Sequence, residues 1–141
     1  MRTAIDTNIL SALFSGEPAA HVLATRLEQA KGEGGLALAP AVYAELLAYP
    51  GMTQTFLENF LTTTGITVDF ALEPAIWREA GIRFARYAQR RRTSDTSSND
   101  STPKRLLADF LIGAHALGQA DRLFTLDPAR YQLDFPELHL L

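Results

Sequence analysis

The chain contains no cysteine, which excludes disulfides, thiolate nucleophiles and cysteine-held zinc or iron–sulfur centres; any metal must be bound through oxygen or imidazole. Lysine is nearly absent too, with only Lys31 and Lys104, so the positive charge is carried by arginine, the residue suited to bidentate phosphate contact. His21, His115 and His139 are scattered without the paired spacing of a zinc site. No glycine-rich phosphate loop and no nucleophile elbow is present. Long apolar runs are missing as well. The N-terminal stretch MRTAIDTNILSALF is interrupted by Asp6 and Asn8, so neither a signal-peptide core nor a membrane helix fits, and a cytoplasmic location with no membrane association is expected.

What remains is a chain of 141 residues with 47% hydrophobic content, enough for one substantial core, and a single domain over residues 1–141 is expected. The net charge of -3 argues against broad electrostatic adhesion to nucleic acid. It is compatible with an enzyme that gathers carboxylates around cations and keeps its arginines elsewhere.

Strand and helix patterns alternate. Thr3 to Ile5 reads as a strand ending at Asp6, with Thr7 and Asn8 able to cap a helix through Ile9, Leu10 and Leu13. A second helical pattern, Ala20 to Ala30, stops at the glycine-rich turn of Gly32 to Gly35. Leu36 to Ala39 reads as a strand, and Pro40 opens a helix to about Tyr49, where Pro50-Gly51 ends it. Thr53 to Thr63 is a further helix with Phe56, Leu57, Phe60 and Leu61 on one face, followed by the β-branched strand Ile66 to Val68. Pro74 begins a longer helix whose expected inner face is Trp77, Ala80, Gly81, Phe84, Ala85 and Ala88. It runs into Arg90, Arg91 and Arg92 and then into residues 93–103, which hold no apolar side chain and are expected to form a flexible polar loop. Lys104 to Leu117 predicts a buried helix, Leu123 to Leu126 a fourth strand and Leu138 to Leu141 a short fifth. This alternation implies an α/β fold with a parallel sheet covered by helices on both faces.

Ligands of open parallel sheets bind beyond the carboxyl ends of the strands. Four acids fall there. Asp6 and Asp127 directly follow strands, while Glu45 and Asp109 lie in the second turns of helices that start at that edge. Crowded carboxylates raise each other's pKa unless a cation neutralises them, and oxygen-only donors favour Mg²⁺ or Mn²⁺. One or two such ions activate water for in-line attack at phosphorus, so phosphodiester hydrolysis needs no protein nucleophile. Each acid also has a plainer reading. Asp6 can cap a helix, Glu45 can be an ordinary exposed helix residue, and Asp127 before Pro128 can be a turn residue. Asp109, flanked by Leu106, Ile112 and Gly113, requires a partner or a metal if buried; Arg105 is the candidate ion-pair partner, and Gly113 is expected to leave open space above the carboxylate. His115 reads as a packing histidine, and Trp77 with the phenylalanines as core.

At these positions the sequence resembles the PIN-domain family, in particular its VapC-like toxins. Asp6-Thr7-Asn8 matches the opening motif, Glu45 the acid after the second strand, Leu107-Ala-Asp-Phe-Leu-Ile-Gly-Ala-His-Ala116 the helix of the third acid, and Leu123-Phe-Thr-Leu-Asp127, continuing to Tyr131 and Phe135-Pro136, the C-terminal end. The resemblance implies a PIN-like three-layer sandwich with about five parallel strands, Mg²⁺ or Mn²⁺ dependence and endonucleolytic cleavage of RNA. It makes Asp6 and Asp109 the closest metal ligands, with Glu45 and Asp127 acting directly or through water. Thr7, Asn8 and Thr125 become supporting or substrate-positioning groups, with a structural hydroxyl as the alternative. It also implies a homodimer and an inhibitory antitoxin. Arg90, Arg91, Arg92 and Arg105 are candidate phosphate contacts, although cations at a helix C-terminus also suit its dipole.

Two rivals fail on residues. A haloacid-dehalogenase-like phosphatase requires a second Asp where Asn8 stands, and a phospho-receiver domain requires a late-strand lysine. A catalytically inactive PIN-like module binding RNA or protein, and an RNA-processing nuclease that is not a toxin, remain as alternatives. Retention of all four acids argues against the inactive module.

Overall fold

A computed structural model describes residues 1–93 and 106–141. Four short strands, β1 (Thr3–Ile5), β2 (Leu36–Leu38), β3 (Ile66–Val68) and β4 (Arg122–Phe124), form a parallel sheet in the order β3-β2-β1-β4. Thr3 pairs with Leu36 on one side and Arg122 on the other, and Leu36 pairs with Ile66. Every residue of β1 and β2 is buried, so both faces of the sheet are covered. The covering helices are α1 (Thr7–Ser15), α2 (Ala20–Glu33), α3 (Pro40–Leu47), α4 (Gln54–Thr64), α5 (Pro74–Thr93), α6 (Leu107–Gln119) and α7 (Pro128–Asp134). The result is the expected α/β sandwich. One apolar core joins strands and helices through Ile5, Leu38, Phe110, Phe124, Tyr131 and Phe135. Each such side chain contributes about 1.5–3 kcal/mol on full burial.

Local chemistry sets the boundaries. Gly16 and Gly65 end α1 and α4 in the left-handed conformation, at φ 66° and 72°, which only glycine adopts without strain. Thr53 caps α4 by accepting the Phe56 N–H at 3.1 Å. Asp6, not Thr7 or Asn8, caps α1. Among the described residues no helix is long and apolar enough to cross a membrane.

Several expectations change. The last strand is reduced to a single bridge, Leu123 to Leu140, because the chain turns after Phe135 and only one register position reaches β4. Among the described residues the sheet thus has four strands and one isolated bridge where about five strands were expected. β4 stops at Phe124 because the next donors go to side chains: the Leu126 N–H to Asn8 and the Asp127 N–H to the Thr125 hydroxyl. α2 continues through Gly32 to Glu33, leaving a shorter turn in which Gly34 admits the backbone of Met1. The inner face of α5 is Ile76, Ala80, Arg83 and Tyr87; Trp77 is 53% exposed, and Gly81 and Ala85 also face outward. Ala80 and the core-packed Phe84 lie where the apolar pattern puts them, but the pattern is rotated from the true face because the buried Arg83, which bonds Glu79, Glu137 and the Asp134 carbonyl, does not look apolar. α6 begins at Leu107, and Lys104, Arg105 and the stretch 94–103 lie outside the described residues.

Candidate active site

From β1 the chain moves to β2 and β3 on one side and later returns to β4 on the other, so the topological switch point lies beyond the carboxyl ends of β1 and β4. Asp6 leaves β1 there. It is 6% exposed, and its two oxygens have separate duties. Oδ1 accepts the Thr7 N–H at 2.8 Å, while Oδ2 accepts the hydroxyls of Thr125 at 2.8 Å and Tyr131 at 3.1 Å. The Oδ1 contact is the helix-capping role expected of Asp6, and it leaves Oδ2 to the two hydroxyls. Burial pushes the Asp6 carboxyl above the usual range, the three donors oppose that shift, and the negative charge of Asp109 adds to it.

The residues after Asp6 each fix a different neighbour. The Thr7 hydroxyl donates to Glu45 Oε1 at 2.6 Å, joining α1 to α3. Asn8 Oδ1 accepts the Leu126 N–H at 3.2 Å, joining α1 to the exit of β4. Thr125 uses its single proton on Asp6 and accepts the Asp127 N–H at 3.1 Å and the more distant Asn8 amide at 3.5 Å. Asp-Thr-Asn thus works as a local frame in which one acid is held and two polar side chains tie down adjacent elements.

Asp109 occupies the first turn of α6, where its Oδ2 accepts the Leu106 N–H at 3.1 Å. Its Oδ1 faces the Arg130 guanidinium at 3.5 Å, and Arg130 Nε meets Asp127 Oδ2 at 3.2 Å. Glu45 is exposed and is connected to Asp6 through Thr7 rather than directly. Arg105, the expected partner of Asp109, lies outside the described residues. Gly113 leaves no open space for a ligand: a Cβ there would come within 2.5 Å of the Phe135 ring, so the glycine admits the aromatic packing that seats α6.

Arg130, absent from the motifs, and Tyr131, which they name only as part of the C-terminal end, both contact the candidate site acids. Pro128 predicts a helix start, and positions three and four beyond Asp127 then turn back toward it. Arg90 to Arg92 end α5, whose Tyr87 packs on Phe110 with ring centroids 5.5 Å apart; Phe110 immediately follows Asp109. Arg90 pairs with Asp134 at 2.5 Å and, like Arg91, lies over the Tyr87 ring, while Arg92 bonds Gln89.

The donor set suits a hard divalent cation. Mg²⁺ keeps several waters and takes only one or two carboxylates, for which Asp6 and Asp109 are the candidates. Among the described residues no three Asp, Glu or His side chains converge to form a closed cage. A separate apolar cleft of about 310 Å³ lies away from the acids, lined by Leu13, Phe14, Leu27, Phe56, Phe60 and Ile66.

The PIN domain family model matches residues 3–136. The chain belongs to the PIN-domain family. Two solved structures share the PIN fold over all of this chain. One is VapBC2 from Rickettsia felis bound to a DNA fragment from its promoter, with TM-score 0.61, 18% identity and 98% of that chain covered. The other is VapBC-1 from nontypeable Haemophilus influenzae, with TM-score 0.64, 21% identity and 97% covered. No curated protein matches.

Proposed function

We propose that this PIN-domain protein is a Mg²⁺- or Mn²⁺-dependent endoribonuclease, the toxin of a toxin–antitoxin pair. The observation that carries the reading is the placement of Asp6 and Asp109 at the switch point, close enough for the charge of one to act on the other. Asp6 and Asp109 hold the ion, Asp127 and Glu45 act through bound water, and Thr125 and Tyr131 fix the Asp6 carboxylate. A bound divalent ion supplies Lewis acidity toward the phosphodiester and a nucleophilic water. The arginines ending α5, Arg90 to Arg92, supply a phosphate track beside α6.

A protein partner of the antitoxin kind is supported by the two VapBC structures that share the fold and by the apolar cleft beside α1, α2 and α4, which such a partner would cover. Homodimer formation belongs to the same reading, with exposed Trp77 and Ile82 on α5 as apolar surface for it.

Cleavage of labelled structured RNAs, tRNA among them, by partner-free protein tests the proposal. Cutting is expected with Mg²⁺ or Mn²⁺, to be absent with EDTA, and to fall about 10²–10⁴-fold in Asp6→Asn and Asp109→Asn, as loss of several kcal/mol of charge stabilisation implies. No cutting and no metal binding by the wild type would favour an inactive binding module.

A further inference from the structure

Arg130 stands inside the acid cluster, yet no step of the proposed reaction uses it. Its guanidinium is divided between Asp109 on α6 and Asp127 at the start of α7, at 3.5 and 3.2 Å. Those distances are long for charge-assisted contacts, which usually fall at 2.7–2.9 Å. They are also long for this molecule: Arg2 meets Asp69 at 2.7 Å, Arg122 meets Glu33 at 2.6 Å and Arg90 meets Asp134 at 2.5 Å. The Arg130 side chain is 35% exposed, so its charge can move into water without a desolvation penalty. Its main chain is secured in the first turn of α7 by a bond from its N–H to the Asp127 carbonyl at 3.2 Å, so a swing involves the side chain alone.

We infer that Arg130 is an internal counter-cation that competes with the divalent ion for Asp109 and Asp127 and so sets the metal concentration at which the site fills. This rests on the reading of the acids as the metal site. A divalent ion and a guanidinium repel, and both are drawn to the same carboxylates, the ion to Asp109 directly and to Asp127 through water. Occupation by one therefore weakens the other, and the effect is reciprocal. In the metal-free protein Arg130 offsets repulsion between Asp109 and Asp127, which otherwise opposes folding of the cluster. Contacts as long as these two yield to a cation more readily than a bidentate pair at short distance does.

The test is calorimetric titration of the full chain with Mn²⁺, comparing wild type, Arg130→Gln and Arg130→Lys. Arg130→Gln is expected to bind Mn²⁺ about tenfold more tightly, within the usual range of coupling between two sites, and Arg130→Lys to stay near wild type because the charge remains. Thermal unfolding gives a second readout: addition of Mn²⁺ raises the midpoint further in Arg130→Gln than in wild type, because ligand binding to the folded state stabilises by mass action. Equal or weaker Mn²⁺ binding in Arg130→Gln, with wild-type binding intact, overturns the competition and leaves the acids as the metal site. A rise of the same size in both variants traces the effect to packing and also overturns it. Absence of Mn²⁺ binding in the wild type overturns both this inference and the reading on which it rests.

Discussion

Asp6 and Asp69 each directly follow a parallel strand, β1 and β3, yet their surroundings differ in kind. Asp69 is saturated. Arg2 grips both of its oxygens, at 2.7 and 2.9 Å, and the fully buried His115 meets Oδ2 at 2.7 Å. The Arg2 bond foremost, with help from His115, holds the Asp69 carboxyl below the usual range. Among the described residues Asp6 receives two hydroxyls and one backbone N–H but no cation, and burial above all, with the charge of Asp109 adding to it, holds its carboxyl above that range. Position in the sheet separates the two. β3 is an edge strand, whereas β1 lies between β2 and β4, at the switch point of the sheet. An acid whose charge is already satisfied stabilises the fold; a buried acid such as Asp6, which meets no cation among the described residues, is the kind open to an external one.

The comparison breaks most sharply on paired substitutions. Asp6→Asn and Asp109→Asn are expected to remove RNA cleavage by the orders of magnitude given above while leaving the protein folded, since Asn caps as well as Asp and relieves charge crowding. Asp69→Ala should do the reverse. It strands the Arg2 guanidinium and the His115 ring, at a cost of about 2–4 kcal/mol, with cleavage per folded molecule retained. A denaturant titration read beside the RNA assay checks both halves. Loss of stability in Asp6→Asn equal to that in Asp69→Ala would erase the distinction.

Acid sharpens the same contrast. Burial lowers the His115 pKa despite the pull of Asp69, so the folded chain keeps the ring neutral, donating Nε2–H to the carboxylate that Arg2 already balances. A depressed folded pKa means that the unfolded chain takes up the proton first. Stability from this group is therefore full above its ordinary value of 6.5 and is lost as pH falls below it. The Asp69 contribution is full above its ordinary value of 3.8 and is lost as pH falls through the depressed folded pKa. The unfolding midpoint is expected to decline from pH 7 downward, with the upper part of that decline absent in His115→Gln.

Gly113→Ala tests an expectation that geometry reversed. The added methyl meets the Phe135 ring, so a loss of about 1–3 kcal/mol from overpacking is expected in thermal unfolding. An unchanged midpoint would mean that the ring has room to shift and that α6 is not seated by this contact.

How far the residues announced all this depends on the range of the signal. Asp6, Asp109 and Asp127 were legible because strand ends and helix starts are local patterns and the parallel topology then brings those ends together. The inner face of α5 was legible only in part, at Ala80 and Phe84, because the buried Arg83 is neutralised by Glu79 and by Glu137, far along the chain, and periodicity of apolar residues cannot see such a pairing. The role of Gly113 was missed for a related reason. A small residue reads as empty space until its neighbour across the fold, Phe135, is known. Asp69 shares the strand-end signal of Asp6, and only strand order distinguishes them.

Tyr131 gives the smallest and most discriminating test. Its ring is fully buried in the core, and its hydroxyl donates to Asp6 Oδ2 at 3.1 Å beside the shorter bond from Thr125. Tyr131→Phe keeps the packing and removes one of three donors to a buried carboxylate. The stability cost should be about 1 kcal/mol, the usual net value of one hydrogen bond. Cleavage should slow about three- to tenfold, because Thr125 and the Thr7 N–H still orient the carboxylate, and Mn²⁺ affinity should fall by a similar factor. Parallel loss in the two readouts identifies Tyr131 as a positioning residue acting through Asp6. Slowing as severe as in Asp6→Asn, with metal affinity unchanged, would instead mean that the hydroxyl itself meets the substrate.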